Sequence, residues 1–195
     1  MTSQASVVTP ERFATGFPDF GAWMDAIEQR QKEFQQHYDE FTPDADEVAA
    51  IAALVEQHGV KALVLGEDWC PDVWRGVPVI AKIAERSGME LRLFKRDENK
   101  DIMSEFLNQG EFESIPTIVF YDRDHRYLGH WIERAELANE EIAEIRNEVM
   151  AGVPPEGPER DRAMARYRAA TTERAGPWRH AQVTEVRELL EGALG

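Results

Sequence analysis

The segment GEDWCPDVWRG, residues 66–76, contains the only cysteine of the chain, Cys70. A cysteine thiolate can attack a disulfide or bind a metal, whereas a buried thiol behaves as a small, inert apolar side chain. A single cysteine cannot form a disulfide within its own chain. Cys70 is therefore an inert side chain, a nucleophile toward an external group, or a ligand.

Charged residues surround this cysteine in the sequence. Glu67, Asp68 and Asp72 carry negative charges that disfavour a thiolate. Arg75 and the N-terminal end of a helix have the opposite effect. Because these effects oppose each other, the residues alone leave the direction of the pKa shift open. We interpret Asp68 and Asp72 mainly as helix-capping, solvated carboxylates.

Other kinds of site have no pattern in this sequence. A glycine-rich phosphate loop and a serine nucleophile elbow are both missing. None of the histidines has the spacing of a metal site; they are His37, His58, His125, His130 and His180. We therefore expect no metal and no other cofactor.

Charge and hydropathy exclude two classes of partner. The net charge of −15 repels phosphate backbones, so we expect no nucleic-acid partner. No apolar run approaches the roughly 20 residues of a membrane span, and the first residues lack the pattern of a secretory signal. We expect no membrane partner and a cytoplasmic location.

Hydrophobic periodicity predicts helices that alternate with strands. We expect one long amphipathic helix from Pro18 to Tyr38. A second helix is expected to be capped by Thr42, to begin at Pro43 and to end at Gly59. The other predicted elements are strand 60–67, helix 72–88 with a kink at Pro78, strand 89–97, helix 100–110, hairpin strands 116–122 and 126–133, and helix 135–152.

This order predicts an α/β domain at residues 43–152. Its sheet is expected to be parallel, with an antiparallel edge formed by the hairpin. Around it we expect a loose N-terminal segment at 1–17, a helical extension at 18–42, and a linker with a C-terminal helical extension at 153–195.

The C-terminal extension has an apolar stripe at helical spacing. Its residues are Val183, Val186, Leu189, Leu190 and Leu194. Such a stripe needs a surface to cover. It either folds back onto the core of its own chain or forms a homodimer through the terminal helices.

Several separated motifs resemble the thioredoxin superfamily over about residues 43–150, and more closely its branch with an E-D-W-C motif. EDWC ends at Cys70, after the first buried strand and before a helix. Pro78 follows at the place where thioredoxins kink this helix, SIPT at 114–117 matches the Ile-Pro-Thr of the family, and LGHWIER matches its closing strand. The resemblance implies a thioredoxin-like mixed sheet flanked by helices, here with extra N-terminal and C-terminal helices.

The resemblance also implies roles for particular residues. Cys70 takes the position of the attacking cysteine, exposed at the start of its helix. The substrate-binding residues would be Trp69, Pro71, Ile115 and Pro116. The Ile115–Pro116 bond would be cis, and the backbone of Ile115 would pair with an extended peptide. We assign Trp69 to the wall of this groove, and Trp74 to the core.

Two departures from the family pattern matter. The resolving cysteine of the family is replaced by Val73, so the motif is Cys-Pro-Asp-Val. The buried acid and its lysine partner are replaced by Val64 and Leu93. Because both charges are missing together, neither is left buried without its partner.

Two functions remain open at this point. The first is a single-cysteine thiol–disulfide redox protein that acts through a mixed disulfide at Cys70, with protein disulfides or low-molecular-weight thiols as partners. The second is a redox-inactive binding module that uses the cis-proline groove. We favour the first, because the cysteine, its tryptophan and the proline are all kept. Fold alone decides neither.

Overall fold

The computed structural model describes residues 6–195. Nine α-helices and four strands are found in this part of the chain, with one short 3-10 turn at Arg96–Glu98. The first half contains α1 (Pro10–Phe13), α2 (Phe20–Ala26), α3 (Gln31–Glu40), α4 (Ala45–His58), β1 (Lys61–Gly66), α5 (Pro71–Ser87) and β2 (Glu90–Lys95). The second half contains α6 (Lys100–Met103), β3 (Thr117–Tyr121), β4 (Tyr127–Ile132), α7 (Glu136–Met150), α8 (Pro158–Glu173) and α9 (Ala175–Leu194).

The four strands form one mixed sheet in the order β2-β1-β3-β4. β1 and β2 are parallel, whereas β3 lies antiparallel to both β1 and β4. The mixed sheet flanked by helices confirms the predicted fold class. We expected a mainly parallel sheet with an antiparallel edge. The antiparallel part is larger than expected, because the hairpin supplies two of the four strands and its strand β3 pairs directly with β1.

Helices cover both faces of the sheet. α1 packs on one face, where the ring of Phe13 lies edge-on to Tyr121 at a centroid distance of 6.3 Å. On the opposite face lies α5, whose residues 76–81 are all buried. Helices α3, α4 and α9 all contact α5. The middle of the helix that follows Cys70 is therefore buried between the sheet and these three helices.

The C-terminal apolar stripe completes the main core. Val183, Val186 and Leu190 are at most 1% exposed and belong to the same cluster as the sheet residues. Leu189 packs on Gly129 of β4, where a Cβ atom would lie 2.9 Å from the leucine Cδ2. The stripe folds back onto the core of its own chain. Its buried residues are therefore not available as the apolar surface of a homodimer.

Helix α7 does not join the main core. Its buried residues Ala138 and Ile145 form a second, smaller cluster with Ala175 and Trp178 of α9. The predicted boundary after residue 152 therefore cuts through this cluster, because α7, α8 and α9 contact one another.

The predicted long helix at 18–38 is interrupted. α2 ends at Ala26 and α3 begins at Gln31, and Arg30 between them has a φ of 60°. The carboxylate of Asp68 accepts hydrogen bonds from the backbone N–H groups of Glu28 and Gln29, at 2.9 and 3.0 Å. The sequence has helical periodicity across residues 27–30, but this contact with Asp68, which is distant in the sequence, stabilises the break between α2 and α3.

Three further expectations need correction. The second helix begins at Ala45 with Asp44 as its N-cap, so Thr42 does not cap it, although it ends at Gly59 as predicted. α6 ends at Met103 instead of reaching Gly110. The N-terminal segment 1–17 is not loose where the structure describes it, because Val8 is only 2% exposed. Residues 1–5 lie outside the described part.

The packing of α9 leads to a first prediction. Leu190→Ala removes a side chain that is 0% exposed and should lower the free energy of unfolding by about 2–4 kcal/mol. Leu137→Ala on α7, where the side chain is 36% exposed, should cost less than about 1 kcal/mol. Urea unfolding monitored by circular dichroism measures both. Equal effects would contradict the assignment of α9 to the core.

Candidate functional site around Cys70

Cys70 is the N-cap residue of α5 and follows the carboxyl end of β1. Its Sγ–H donates to the carbonyl oxygen of Ile115 at 3.6 Å. The Ile115–Pro116 peptide bond is cis. Both of these residues are buried, and Cys70 itself is 8% exposed. The exposed thiol implied by the resemblance was therefore wrong, because α5 and the segment before β3 enclose the sulfur.

Burial is the largest influence on the ionisation of the thiol, and it raises the pKa of Cys70. The backbone N–H groups of Val73 and Asp72 oppose this effect, as the start of a helix does in general. The carboxylates of Asp72 and Glu133 add to it. The net shift is upward, which answers the question that the sequence left open. The hydrogen bond to Ile115 acts in the same direction, because only the protonated sulfur can donate it.

Asp72 takes part in a buried ion-pair network. Its Oδ2 atom lies 3.0 Å from Nη2 of Arg134, and its Oδ1 atom lies 3.9 Å from Nη1 of Arg75. Its side chain is only 18% exposed. Burial raises the pKa of Asp72, although both guanidinium groups oppose that shift. The interpretation of Asp72 as a solvated carboxylate was therefore wrong.

The other two acids near the cysteine accept hydrogen bonds from backbone N–H groups. Glu67 is 8% exposed and accepts a hydrogen bond from the N–H of Asp97 at 2.7 Å. Burial raises the pKa of Glu67, against the effect of that hydrogen bond. Asp68 holds the break between α2 and α3. Both carboxylates therefore connect the loop before α5 to neighbouring segments.

Two residues of this site were missed from the sequence, Glu133 and Arg134. They directly follow β4, and Arg134 forms ion pairs with both Glu133 and Asp72. The register pairs Ile132 with Thr117, so the end of β4 lies beside the start of β3 and beside the cysteine. The sequence motif LGHWIER, which ends with these two residues, could have indicated them. In a hairpin, the residues after the second strand lie near the residues before the first strand.

The remaining predicted site residues differ in their exposure. Trp69 is 47% exposed, and the guanidinium of Arg96 lies over its ring at 5.4 Å from the centroid. Pro71 is exposed at the first position of α5. The structure brings Cys70, Ile115 and Pro116 together and leaves Trp69 and Pro71 at the surface beside them. Trp74, assigned to the core, packs against it while partly exposed.

Comparison with known proteins identifies the family. A family model described as thioredoxin matches residues 17–147. The chain belongs to the thioredoxin family. No curated protein gives a significant match.

Two solved structures share the fold of nearly the whole thioredoxin-like chain. One is a protein of unknown function, PA1234, from Pseudomonas aeruginosa, with 20% identity and a TM-score of 0.64. The other is an HIV epitope scaffold, with 18% identity and a TM-score of 0.65. Each alignment covers 97% of this chain and 99% of the other. This similarity shows the fold alone, and its coverage extends beyond the thioredoxin match into the terminal helices.

The residues that depart from the thioredoxin pattern lie close together in the core. Val73 is fully buried, and its Cγ1 atom would lie 2.8 Å from a Cβ placed on Gly66. Val64 of β1 lies opposite Leu93 of β2 in the parallel register, and each is 1% exposed. A carboxylate and an ammonium at these two positions would face each other, so their joint replacement leaves an apolar contact.

Among residues 6–195, no three histidine, cysteine, aspartate or glutamate side chains are grouped so that they could hold a metal ion. Within the same range, no helix is long and apolar enough to cross a bilayer.

The electrostatics of Cys70 lead to a second prediction. Because its pKa is raised, the alkylation rate should be low near neutral pH and should keep rising above the range of an ordinary thiol. Asp72→Asn removes a negative charge beside the sulfur, so alkylation at about pH 8 should become roughly three- to tenfold faster. Iodoacetamide labelling followed by mass spectrometry measures the rates.

A control for this prediction is Glu98→Gln, whose carboxylate is exposed and outside the thiol environment. It should leave the profile unchanged. A wild-type profile with its midpoint below that of a free thiol would contradict the assigned upward shift.

Proposed function

We propose that this thioredoxin-family protein is a single-cysteine thiol–disulfide redox protein that acts through a mixed disulfide at Cys70. The observation that supports it best is the contact between the Cys70 sulfur and the Ile115 carbonyl, at 3.6 Å. An extended substrate that pairs with the backbone of Ile115 would bring its own disulfide next to this sulfur.

The reaction has three exchange steps. The thiolate of Cys70 attacks one sulfur of a substrate disulfide, the S–S bond breaks, and the departing thiolate takes up a proton. An external low-molecular-weight thiol then attacks the sulfur of Cys70 in the mixed disulfide, which releases the reduced substrate. A second external thiol releases Cys70. Two external thiols are thereby oxidised to one disulfide while one substrate disulfide is reduced to two thiols.

The structure implies a slow first step. Only the thiolate attacks, and burial keeps Cys70 mostly protonated near neutral pH. Deprotonation also ends the hydrogen bond to Ile115, so its carbonyl becomes free to accept a substrate N–H at the moment when the nucleophile forms. The required external thiols are abundant in a reducing cytoplasm, where we place the reaction.

The partners follow from the same geometry. Trp69 and Pro71 are exposed beside the buried sulfur and would contact a protein substrate or a thiol adduct. The net charge of −15 would favour partners that are basic around their disulfide, at low salt above all.

The direct test is formation of the adduct. Folded protein incubated with oxidised glutathione at about pH 8.5 should gain the mass of one glutathionyl group at Cys70, more slowly than a free thiol does. Cys70→Ser should gain none. Reduced glutathione should then remove the adduct. If folded protein stays unmodified while urea-unfolded protein reacts, the redox proposal is wrong and the binding-module alternative is favoured.

A further prediction concerns the missing resolving cysteine. Val73→Cys places a second thiol one helical turn from Cys70, within the roughly 4.4–6.8 Å between Cα atoms that a disulfide needs. The variant should form this bond under mild oxidation and should reduce a disulfide substrate in the presence of dithiothreitol. The gain should be modest, because Val64 provides no proton acceptor.

The matched control is Val77→Cys, which is one further turn along the same buried face. Its thiol lies too far from Cys70 for a bond, so it should show neither the bond nor the gain. If Val73→Cys resists oxidation as Val77→Cys does, the geometry around Cys70 differs from that of a dithiol thioredoxin.

A further inference from the structure

A small, partly open cavity lies beside the start of α5. It is lined by α5, by Trp131 of β4, by the connection from β4 to α7, and by α7 and α9. Its volume is about 30 Å³. Because one water needs roughly 10–15 Å³ by this measure, the cavity holds about two atoms of that size and excludes a drug-sized ligand.

Three arginines line this cavity, Arg75, Arg134 and Arg179. Arg179 is 8% exposed, and the side chains of Arg75 and Arg134 are 17% and 24% exposed. In each of the three, the Nε atom is buried and has no hydrogen-bond acceptor among the described residues. Three guanidinium side chains therefore line a space that is large enough for a small acceptor.

The carboxylates at this cavity do not balance the arginines. Asp72 and Glu133 line it, so the lining carries three positive and two negative groups. Arg134 is bound to both of these acids. Arg179 has only the half-exposed Glu40, at 3.6 Å. Burial lowers the pKa of both Arg75 and Arg179, which shows that their desolvation is only partly compensated.

We propose that this cavity binds one small monovalent anion, of which chloride is the physiological example. One negative charge balances the lining, and a monoatomic anion fits the volume. The guanidinium of Arg179 donates to the anion, with Arg75 and Arg134 on the other sides. The rings of Trp131 and Trp178 and the methyl group of Ala138 form the apolar part of the wall.

Bromide locates such a site directly. Crystals grown without halide and soaked in sodium bromide should show an anomalous peak within about 3.5 Å of a guanidinium nitrogen of Arg179. In solution, the thermal midpoint should rise saturably with sodium chloride when sodium gluconate, whose anion is too large for the cavity, keeps the ionic strength constant.

Two variants remove the site in different ways. Arg179→Met removes the donor, and Ala138→Val fills the cavity without changing any charge. Each should abolish the bromide peak and the saturable rise in midpoint. Arg174→Met is the matched control: it removes one positive charge just before α9, at a side chain that is 46% exposed and paired with Glu141. It should keep both effects.

Cys70 does not line the cavity, although Asp72 and Glu133 border both sites, so Cys70→Ser should bind bromide as the wild type does. This separates a failure here from a failure of the redox proposal. The anion site is wrong if the soaked wild-type crystal has no peak in the cavity, or if the chloride-dependent rise persists in both Arg179→Met and Ala138→Val.

Discussion

The central part of helix α5, residues 76–81, is completely buried, and the rest of the structure is arranged around that constraint. At Gly76 the helix packs closely on its neighbours, because a Cβ would lie 3.2 Å from Pro116 and 3.4 Å from Gln182. The amide of Gln182 donates to the carbonyl of Gly76 at 3.0 Å. α5 is thus held between the segment before β3 and the C-terminal helix α9. At a solvent-exposed helix start, water would hydrate Asp72 and Arg75. Here they need protein partners instead. Arg134 and Thr171 provide them.

The same burial determines what the cysteine can do. It fixes the sulfur beside Ile115 and at the same time raises the cost of ionising it. Val73, Val64 and Leu93 are packed apolar side chains in the core nearby. The sequence has no second cysteine with which Cys70 could form an internal disulfide.

The sequence was most informative where local chemistry determines the backbone. Gly59 ends α4 in the left-handed region, and the four strands lie where the apolar runs predicted them. The family motifs led to the right superfamily. These features depend on a residue and its near neighbours, so they can be read from a single sequence.

The errors share a physical cause. The break in the helix before Gln31 is held in part by Asp68, some forty residues later in the chain. The ionisation of Cys70 depends on burial and on Glu133, which reaches the site through the pairing of β3 with β4. The network of Asp72, Arg75 and Arg134 likewise joins two separate parts of the chain. Contacts of this kind appear only once the topology is known.

The position of α9 also affects how the protein acquires its structure during synthesis. All four strands and α5 leave the ribosome before Val183, Val186 and Leu190, which complete the core against them. The sheet can therefore pair its strands while β4 and the side of α5 that α9 covers are still exposed. In that interval the nascent chain exposes an apolar surface that a chaperone can bind, and cooperative stability arrives only with the last helix.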